Sequence, residues 1–468
     1  SVPRRAGGLR LLVRASDSPR GKPRRNLHGS ESGGTGDGCG PLGGPPVASR
    51  AASICFPGTL LASRGLTAPG GALAALNHRD FRVLLFSTMA LQIGSWVQTI
   101  GQGWLVLHDL GGSATELGAV ALIRGASLVL LSPVGGYLAG RLERRRQLVV
   151  YTSVSAGIAT LLAVLVATDA VEIWMIFATA LVAGAVDALA GPIRTMLVYD
   201  SVGGEDLTNA VALNSLGGNA MRVIGPAIGG ALIGLVGTQG TFVMQAVCLA
   251  LAAMLTVRLR PSPPEQTESM GIFQSVAEGL RYVVRDRKML IIVVTGLVPS
   301  VLVYPYVTYL PVFARDVMHS DEQGYGYLAA AVGLGSLLGG TIVAVTSGRG
   351  RLGPGMMWSC LLYCLAVLSF TFMRDLWPGV AALVVAGVFH SIYSALNASL
   401  MQLEARFEYR SRVMSLQTMM WGATPFAGLI MGWMIDAWGA PEVVGAWLAV
   451  AALLTLTLAI TSREMRRV

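Results

Sequence analysis

Charge is what this chain most conspicuously has little of. Only 13% of its 468 residues are Asp, Glu, Lys or Arg, against about 25% in an ordinary soluble domain. With 53% hydrophobic residues beside it, that scarcity excludes both a large soluble enzyme and a disordered chain. Cysteine is sparse as well. Cys39 and Cys55 lie in a polar N-terminal stretch, while Cys248, Cys360 and Cys364 lie in apolar runs. No C-x-x-C spacing that would hold a metal occurs. Cys360 and Cys364, one helical turn apart, are expected as small buried apolar residues. The chain also lacks G-x-x-x-x-G-K-[ST], H-E-x-x-H and G-x-S-x-G. ATP binding through a P-loop and the common metalloprotease and hydrolase chemistries have no support, so no enzyme, cofactor or metal is expected.

What the chain has instead is long apolar runs. A helix that crosses a bilayer needs about 20 apolar residues. Such runs occur near 82–107, 116–140, 147–168, 172–196, 209–236 and 239–258, then 289–314, 322–346, 354–373, 377–402, 412–435 and 442–461. They must be helices, because lipid offers no partner to open backbone groups. The expectation is an all-α membrane protein of twelve transmembrane helices.

The net charge of +9 is mostly a property of the N-terminus, since residues 1–79 hold 11 Lys/Arg against Asp17, Glu31 and Asp37. Nucleic acid is therefore not an expected partner. Residues 1–76, rich in Gly, Pro, Ser and Arg and starting at Ser1, read as a disordered basic extension, too polar to offset its ordering entropy. Translated sequence ahead of a start near Leu66 is an equal alternative, and an Arg-rich transit peptide a weaker one. With the extension placed inside, 20 of the 24 Lys/Arg after residue 79 fall on the cytoplasmic side, including Arg194 at an inner helix end. Such a bias is the positive-inside signal, and it places both termini in the cytoplasm.

Residues 259–288 separate the two sets of six spans. After Pro261, Pro263 and Pro264 the stretch alternates Ile272, Phe273, Val276, Leu280, Val283 and Val284 with Arg281, Arg285, Arg287 and Lys288. That reads as an amphipathic helix, either lying on the inner leaflet or packed on the base of the bundle. The expected domains are thus 77–258, a linker at 259–288, and 289–468. The halves echo one another. Trp174, Gly184 and Gly225 repeat as Trp377, Gly387 and Gly428 at an offset of 203, and Glu116 and Gly118 repeat as Glu322 and Gly324 at 206. Six spans, a linker and six related spans indicate two parallel repeats.

Between spans 2 and 3 stands Gly136-Tyr137-Leu138-Ala139-Gly140-Arg141-Leu142-Glu143-Arg144-Arg145-Arg146. It closely resembles the G-x-L-A-D-R-x-G-R-R-[KR] loop of the major facilitator superfamily. Small residues let helix ends approach, and an Arg cluster can bond helix C-terminal carbonyls and nearby acids as a gate latch. Gly140 replaces the usual Asp and Glu143 the usual second Gly, so the latch carboxylate is either lost or moved to Glu143. Ser347-Gly348-Arg349-Gly350-Arg351-Leu352-Gly353 is a fainter echo between spans 8 and 9. Gly191-Pro192-Ile193-Arg194 and the run from Leu207 to Gly230 resemble the branch holding the enterobactin (siderophore) exporter and related drug exporters. Gly225-Pro226-x-x-Gly229-Gly230 matches the core of that superfamily's antiporter motif, without its upstream glycines.

The resemblance implies two pseudo-symmetric six-helix bundles with a cavity lined by spans 1, 4, 7 and 10. It implies a secondary-active, proton-coupled exporter in a bacterial inner membrane, working as a monomer on a small molecule. A lipid or sugar facilitator on the same fold, or a non-transporting scaffold or receptor, are the alternatives. Charges inside spans are costly and usually functional. Arg124, Asp187 and Arg222 therefore stand out, suiting an anionic or phenolic substrate with Asp187 as proton carrier; a structural ion network is the bland alternative. Counting 1.5 Å per residue places Asp187 about 10 Å deeper than either Arg. Polar stripes at helical spacing add Gln92, Ser95, Trp96, Thr99 and Gln102 on span 1 and His390, Ser394 and Asn397 on span 10, with Tyr304, Tyr306 and Tyr309 on span 7. Plain interhelical hydrogen bonding competes with a pathway role at each stripe.

Overall fold

A computed structural model describes residues 73–203, 206–261, 280–346, 352–405 and 410–462, with side chains at 410–421 described only for Val413. Residues 1–72 of the N-terminal extension, most of the 259–288 linker, the Ser347–Arg351 segment and the last arginines lie outside the described residues. The remainder is helical, with no strand among the described residues.

Among the described residues, long helices appear at each of the twelve apolar runs. They are α1 (Arg79–Trp104), α2 (Ala114–Arg141), α3 (Arg144–Ala167) and α4 (Ile173–Val202). The stretch Leu207–Val257 is two helices folded at Gly237, whose φ of 71° suits glycine; these are α5 (207–236) and α6 (238–257). The second half holds α7 (Arg287–Val298, continuing irregularly to Val317), α8 (Glu322–Thr346), α9 (Leu352–Thr371), α10 (Leu376–Glu404), α11 (Arg410–Trp438) and α12 (Ala440–Thr461). Asp286 caps α7 by accepting from the Lys288 and Met289 amides. Of the linker's amphipathic pattern only 280–285 is described. It is helical, with Val283 buried against Met289 and Ile292 and Leu280 and Val284 exposed.

The helices form two bundles with matching packing. In the first, Gly184 of α4 sits against the Arg124 carbonyl of α2, and Gly135 of α2 against the Ala188 carbonyl of α4. In the second, Gly387 of α10 meets the Val332 carbonyl of α8, and Gly339 of α8 the Val388 carbonyl of α10. A Cβ at any of these would enter the facing backbone, which is how small residues permit close helix crossing in lipid. The echo between Gly184 and Gly387 is therefore a packing equivalence. Cys248, Cys360 and Cys364 are buried free thiols, with Cys360 Sγ 3.6 Å from Thr455 Oγ1.

The bundles meet along α5–α8 and α2–α11. The hydrogen bonds and ring stacks described between them lie toward the face bearing the α1–α2 and α7–α8 turns, and the glycine contacts run from there to just past mid-depth at Gly422 and Val129. That face is called the far face here, and the Arg141–Arg146 side the basic face. Gly230 of α5 and Gly326 of α8 touch so closely that a Cβ on Gly326 would lie 2.7 Å from the Gly230 Cα. Gly125 takes the Pro425 ring, and Trp104 stacks on Tyr325 with ring centroids 6.4 Å apart.

Candidate functional site

Polar groups concentrate in four places, at different depths. The first is a chamber inside the first bundle, lined by Ser95 and Gln98 of α1, Arg124 of α2, Ser155 of α3, Asp187 and Arg194 of α4 and Gln245 of α6. Arg124 donates to Asp187 Oδ2 at 2.8 Å and to Ser95 Oγ at 3.4 Å. The two charged side chains are 29% and 37% exposed. The depth count of about 10 Å overstates their separation: Gly184 packs on the Arg124 carbonyl, so Asp187 stands only three residues, about 4.5 Å, further along.

The sequence pattern puts Arg194 at an inner helix end. In the structure α4 continues to Val202, so Arg194 lies two turns beyond Asp187 on the same face and lines the chamber with it. The seven-residue spacing was the available signal. Gln245 is 4% exposed, and its Oε1 has no partner. The chamber thus sets one carboxylate between two guanidinium groups.

The second place is the central cavity between the bundles. Its upper part is lined by Trp96 and Thr99 of α1, Arg222 of α5, Tyr304 of α7, Tyr325 and Ser336 of α8 and His390 of α10. A continuation runs toward the basic face past Asn219, Ser391, Ser394 and Ala398. Arg222 sits midway along α5, about 22 Å from either end at 1.5 Å per residue. Its Cζ lies 5.9 Å from the Trp96 ring centroid. It takes no part in the Arg124–Asp187 network, and no described carboxylate pairs with it. A guanidinium at such depth costs roughly 2.5–3.5 kcal/mol in hydrocarbon, and facing a cavity instead of lipid relieves part of that cost.

The structure corrects two of the expected pathway residues. Asn397 is 2% exposed and lines neither part of the cavity. Its Nδ2 donates to the Ile292 carbonyl at 3.1 Å and contacts Met356 Sδ at 3.5 Å. The lining face of α10 runs through 390, 391, 394, 395 and 398, and at 100° per residue Asn397 falls on the flank turned to α7. Tyr306 is 1% exposed, packed in the core beside Phe370 at 6.4 Å. Tyr304 takes the cavity position instead. The backbone explains the slip. Residues 299–303 form a wide π turn and 304–309 a tight 3₁₀ turn around Pro305, so the regular helical count fails there. Of the α1 stripe, Trp96 and Thr99 face the central cavity, Ser95 faces the chamber, and Gln92 lies one turn from Trp96 beside Gly218. His390 is ringed by Tyr363 at 5.1 Å, Tyr304 at 5.5 Å and Tyr393 at 6.4 Å.

The third place is the basic face. Arg144, with its side chain 5% exposed, donates to both oxygens of Asp200 at 2.8 and 3.0 Å. Arg145 reaches the Leu259 carbonyl at 3.1 Å, and Arg141 lies over the Tyr137 ring at 4.4 Å. Arg146 is exposed. Gly136 has nothing within 4 Å of a built Cβ. Glu143 does not carry the latch: its side chain makes no cap bond and its Oε1 is buried without a partner. The carboxylate that pairs with this arginine cluster is Asp200, on a different helix and 56 residues away. His78–Asp206 at 2.9 Å and Lys288–Glu404 at 2.7 Å likewise tie each bundle to itself.

The fourth place is the far-face rim. Asp436 of α11 accepts from the Ala114 and Thr115 amides at 2.8 Å each and from Thr115 Oγ1 at 2.5 Å. Ser113 and Glu116 complete a capping box at the start of α2. The amides that open α2 are thereby satisfied, two of them by the other bundle. Arg315 of the second bundle also donates to the Leu107 carbonyl of the first. In the antiporter-like motif, Gly225 rests on Trp96, Gly229 on Ile100 and Gly230 on Gly326, while the Pro226 carbonyl lies near Gly326. The motif thus packs α5 on α1 and, across the interface, on α8.

Two related six-helix bundles that cross a membrane and enclose a polar cavity at mid-depth define a membrane transporter. The chain belongs to the transmembrane secretion effector family of the major facilitator superfamily, which matches residues 70–467. Its relatives transport solutes and are not enzymes. It is 25% identical over 354 residues to the staphyloferrin A transporter of Staphylococcus aureus, covering 75% of this chain and 89% of that protein. It is 27% identical over 374 residues to the multidrug efflux pump Tap of Mycobacterium tuberculosis, covering 76% and 87%. Among solved structures, the nucleoside transporter NupG superposes with a TM-score of 0.63 at 16% identity, covering 83% of this chain and 98% of NupG. A bacterial homologue of the human lysosomal transporter Spinster gives 0.64 at 14%, covering 83% and 96%.

Proposed function

We propose that this protein is a proton-coupled exporter of a small organic molecule in a bacterial inner membrane, acting as a monomer by alternating access. Residues 77–258 and 289–468 are its moving halves, and 259–288 joins them on the cytoplasmic side. The charge bias makes the basic face cytoplasmic, so the far-face closure and the cavity running toward the basic face correspond to an inward-facing state ready to load. The efflux pump and the siderophore transporter among the relatives favour outward movement of a drug-like or siderophore-like solute.

The observation that carries the coupling is the Arg124–Asp187 pair at 2.8 Å inside a membrane-spanning bundle. Charged side chains within a membrane span are costly and usually functional. The pair becomes a two-state element if a proton entering from outside neutralises Asp187, frees Arg124 and favours outward release. The test is accumulation of 2,3-dihydroxybenzoate and of ethidium in inverted vesicles with and without an imposed pH gradient. Wild type accumulates at least one of them only with the gradient, and Asp187→Asn loses the gradient dependence. Full gradient-driven accumulation by Asp187→Asn rejects the proton assignment. Gradient-independent flux in the wild type identifies a facilitator, and no flux of any solute a scaffold.

A further inference from the structure

The two polar cavities differ in their charge balance, and that difference points to a substrate class. In the chamber, Asp187 offsets a guanidinium. The central cavity holds one guanidinium, Arg222, and among the described residues no acidic side chain lines either of its two parts. Around Arg222 stand hydroxyl and amide groups able to donate, Asn219, Ser391 and Ser394. The Trp96 ring lies 5.9 Å from its Cζ, and Tyr304 and His390 form a second aromatic surface with ring centroids 5.5 Å apart.

We infer that the central cavity binds an organic solute carrying one negative charge on a planar, aromatic body. Its oxyanion is held by Arg222, and its ring lies against the Trp96 and Tyr304 faces. This sharpens the expectation that Arg124 and Arg222 act together on an anion: Arg124 is already paired, so selection rests on Arg222 alone. A guanidinium presents a fork of donors that matches a carboxylate or sulfonate. A wet cavity with a single sign of charge concentrates the opposite sign. A cationic solute would meet that guanidinium with no carboxylate to receive it. The aromatic walls supply stacking area without fixing identity, so the cavity selects charge and flatness rather than one compound.

The inference rests on the exporter reading only in taking this cavity as the solute's route, and its test needs no gradient and no transport. Full-length protein in nanodiscs is titrated with three probes of one shape: naphthalene-2-sulfonate, naphthalene-2-sulfonamide and 2-naphthylmethylammonium. Binding is read by calorimetry and by quenching of tryptophan fluorescence. The sulfonate is expected to bind roughly ten- to a hundredfold more tightly than the sulfonamide, the span that one charge-assisted contact commands. Arg222→Gln removes that preference, Arg222→Lys keeps part of it, and Trp96→Leu weakens sulfonate and sulfonamide together. Equal binding of the three probes, no sulfonate binding by the wild type, or an unchanged preference in Arg222→Gln overturns the inference. Sulfonate binding without coupled flux would leave it standing and reject the exporter reading.

Discussion

Replacing Asp436 by Ala should open the far face. In the structure this carboxylate joins the bundles by accepting from the Ala114 and Thr115 amides and the Thr115 hydroxyl. The contact carries three contributions: hydrogen bonds to a charged acceptor, an N-terminal cap, and a negative charge at the positive end of the α2 dipole. Buried charged hydrogen bonds contribute about 1.5–3 kcal/mol each. Asp436 lies on an exposed rim where water competes, so the scale of helix caps, about 0.5–2 kcal/mol, applies to the bonds. The dipole adds about 0.3–1 kcal/mol.

A loss of about 1–3 kcal/mol confined to the closed state shifts the conformational equilibrium roughly 5- to 150-fold. The shift can be read by spin labels at Asp169, on the α3–α4 turn of one bundle, and Phe372, on the α9–α10 turn of the other, both exposed. Electron resonance distance distributions of the wild type should show mainly the short distance. Asp436→Ala should raise the long-distance fraction, and Asp436→Asn should fall between. Identical distributions in all three proteins would refute the claim that this cap holds the far face shut.

Two further outcomes follow from the helix ends and the core. Asp200→Asn should cost about 1–3 kcal/mol, because the buried Arg144 guanidinium loses a charged acceptor, and Arg144→Gln should cost less, because the Asp200 it leaves behind is exposed. Melting in detergent should show the double variant no worse than either single one, with Glu143→Gln close to wild type; an equal loss at Glu143 would return the latch to that residue. Asn397→Ala should lower thermal stability by about 1 kcal/mol through the lost interhelical hydrogen bond to Ile292, leaving the solute spectrum unchanged, whereas an altered spectrum with normal melting would place Asn397 back on the pathway.

The site was legible in the sequence to the extent that helical periodicity held. Arg124, Asp187 and Arg222 stand out because charge within an apolar run is rare, and Trp96, Thr99 and His390 follow from regular spacing on regular helices. The reading failed where the backbone departs from that spacing or where an arm's reach matters. The π and 3₁₀ turns around Pro305 exchanged Tyr304 for Tyr306. An underestimated α4 hid Arg194, and a stripe read without its neighbour placed Asn397 on the cavity. Asp200 was invisible as a latch because its partner comes from another helix.

The primary sequence alone dictates twelve helices, their repeat into two sets of six and the crowding of cations on one face. Each of these is a one-dimensional property: apolar length against bilayer thickness, the recurrence of small residues, and the placement of Lys and Arg. Which charges pair and which residues join the two bundles were decided only by the tertiary structure. Arg124 reaches Asp187 while Arg222 stands over Trp96, and Asp436 finds the start of α2 across 322 residues. Those outcomes depend on the rotation and crossing of neighbouring helices, which glycine-to-backbone packing sets in three dimensions and no periodicity along a single helix encodes.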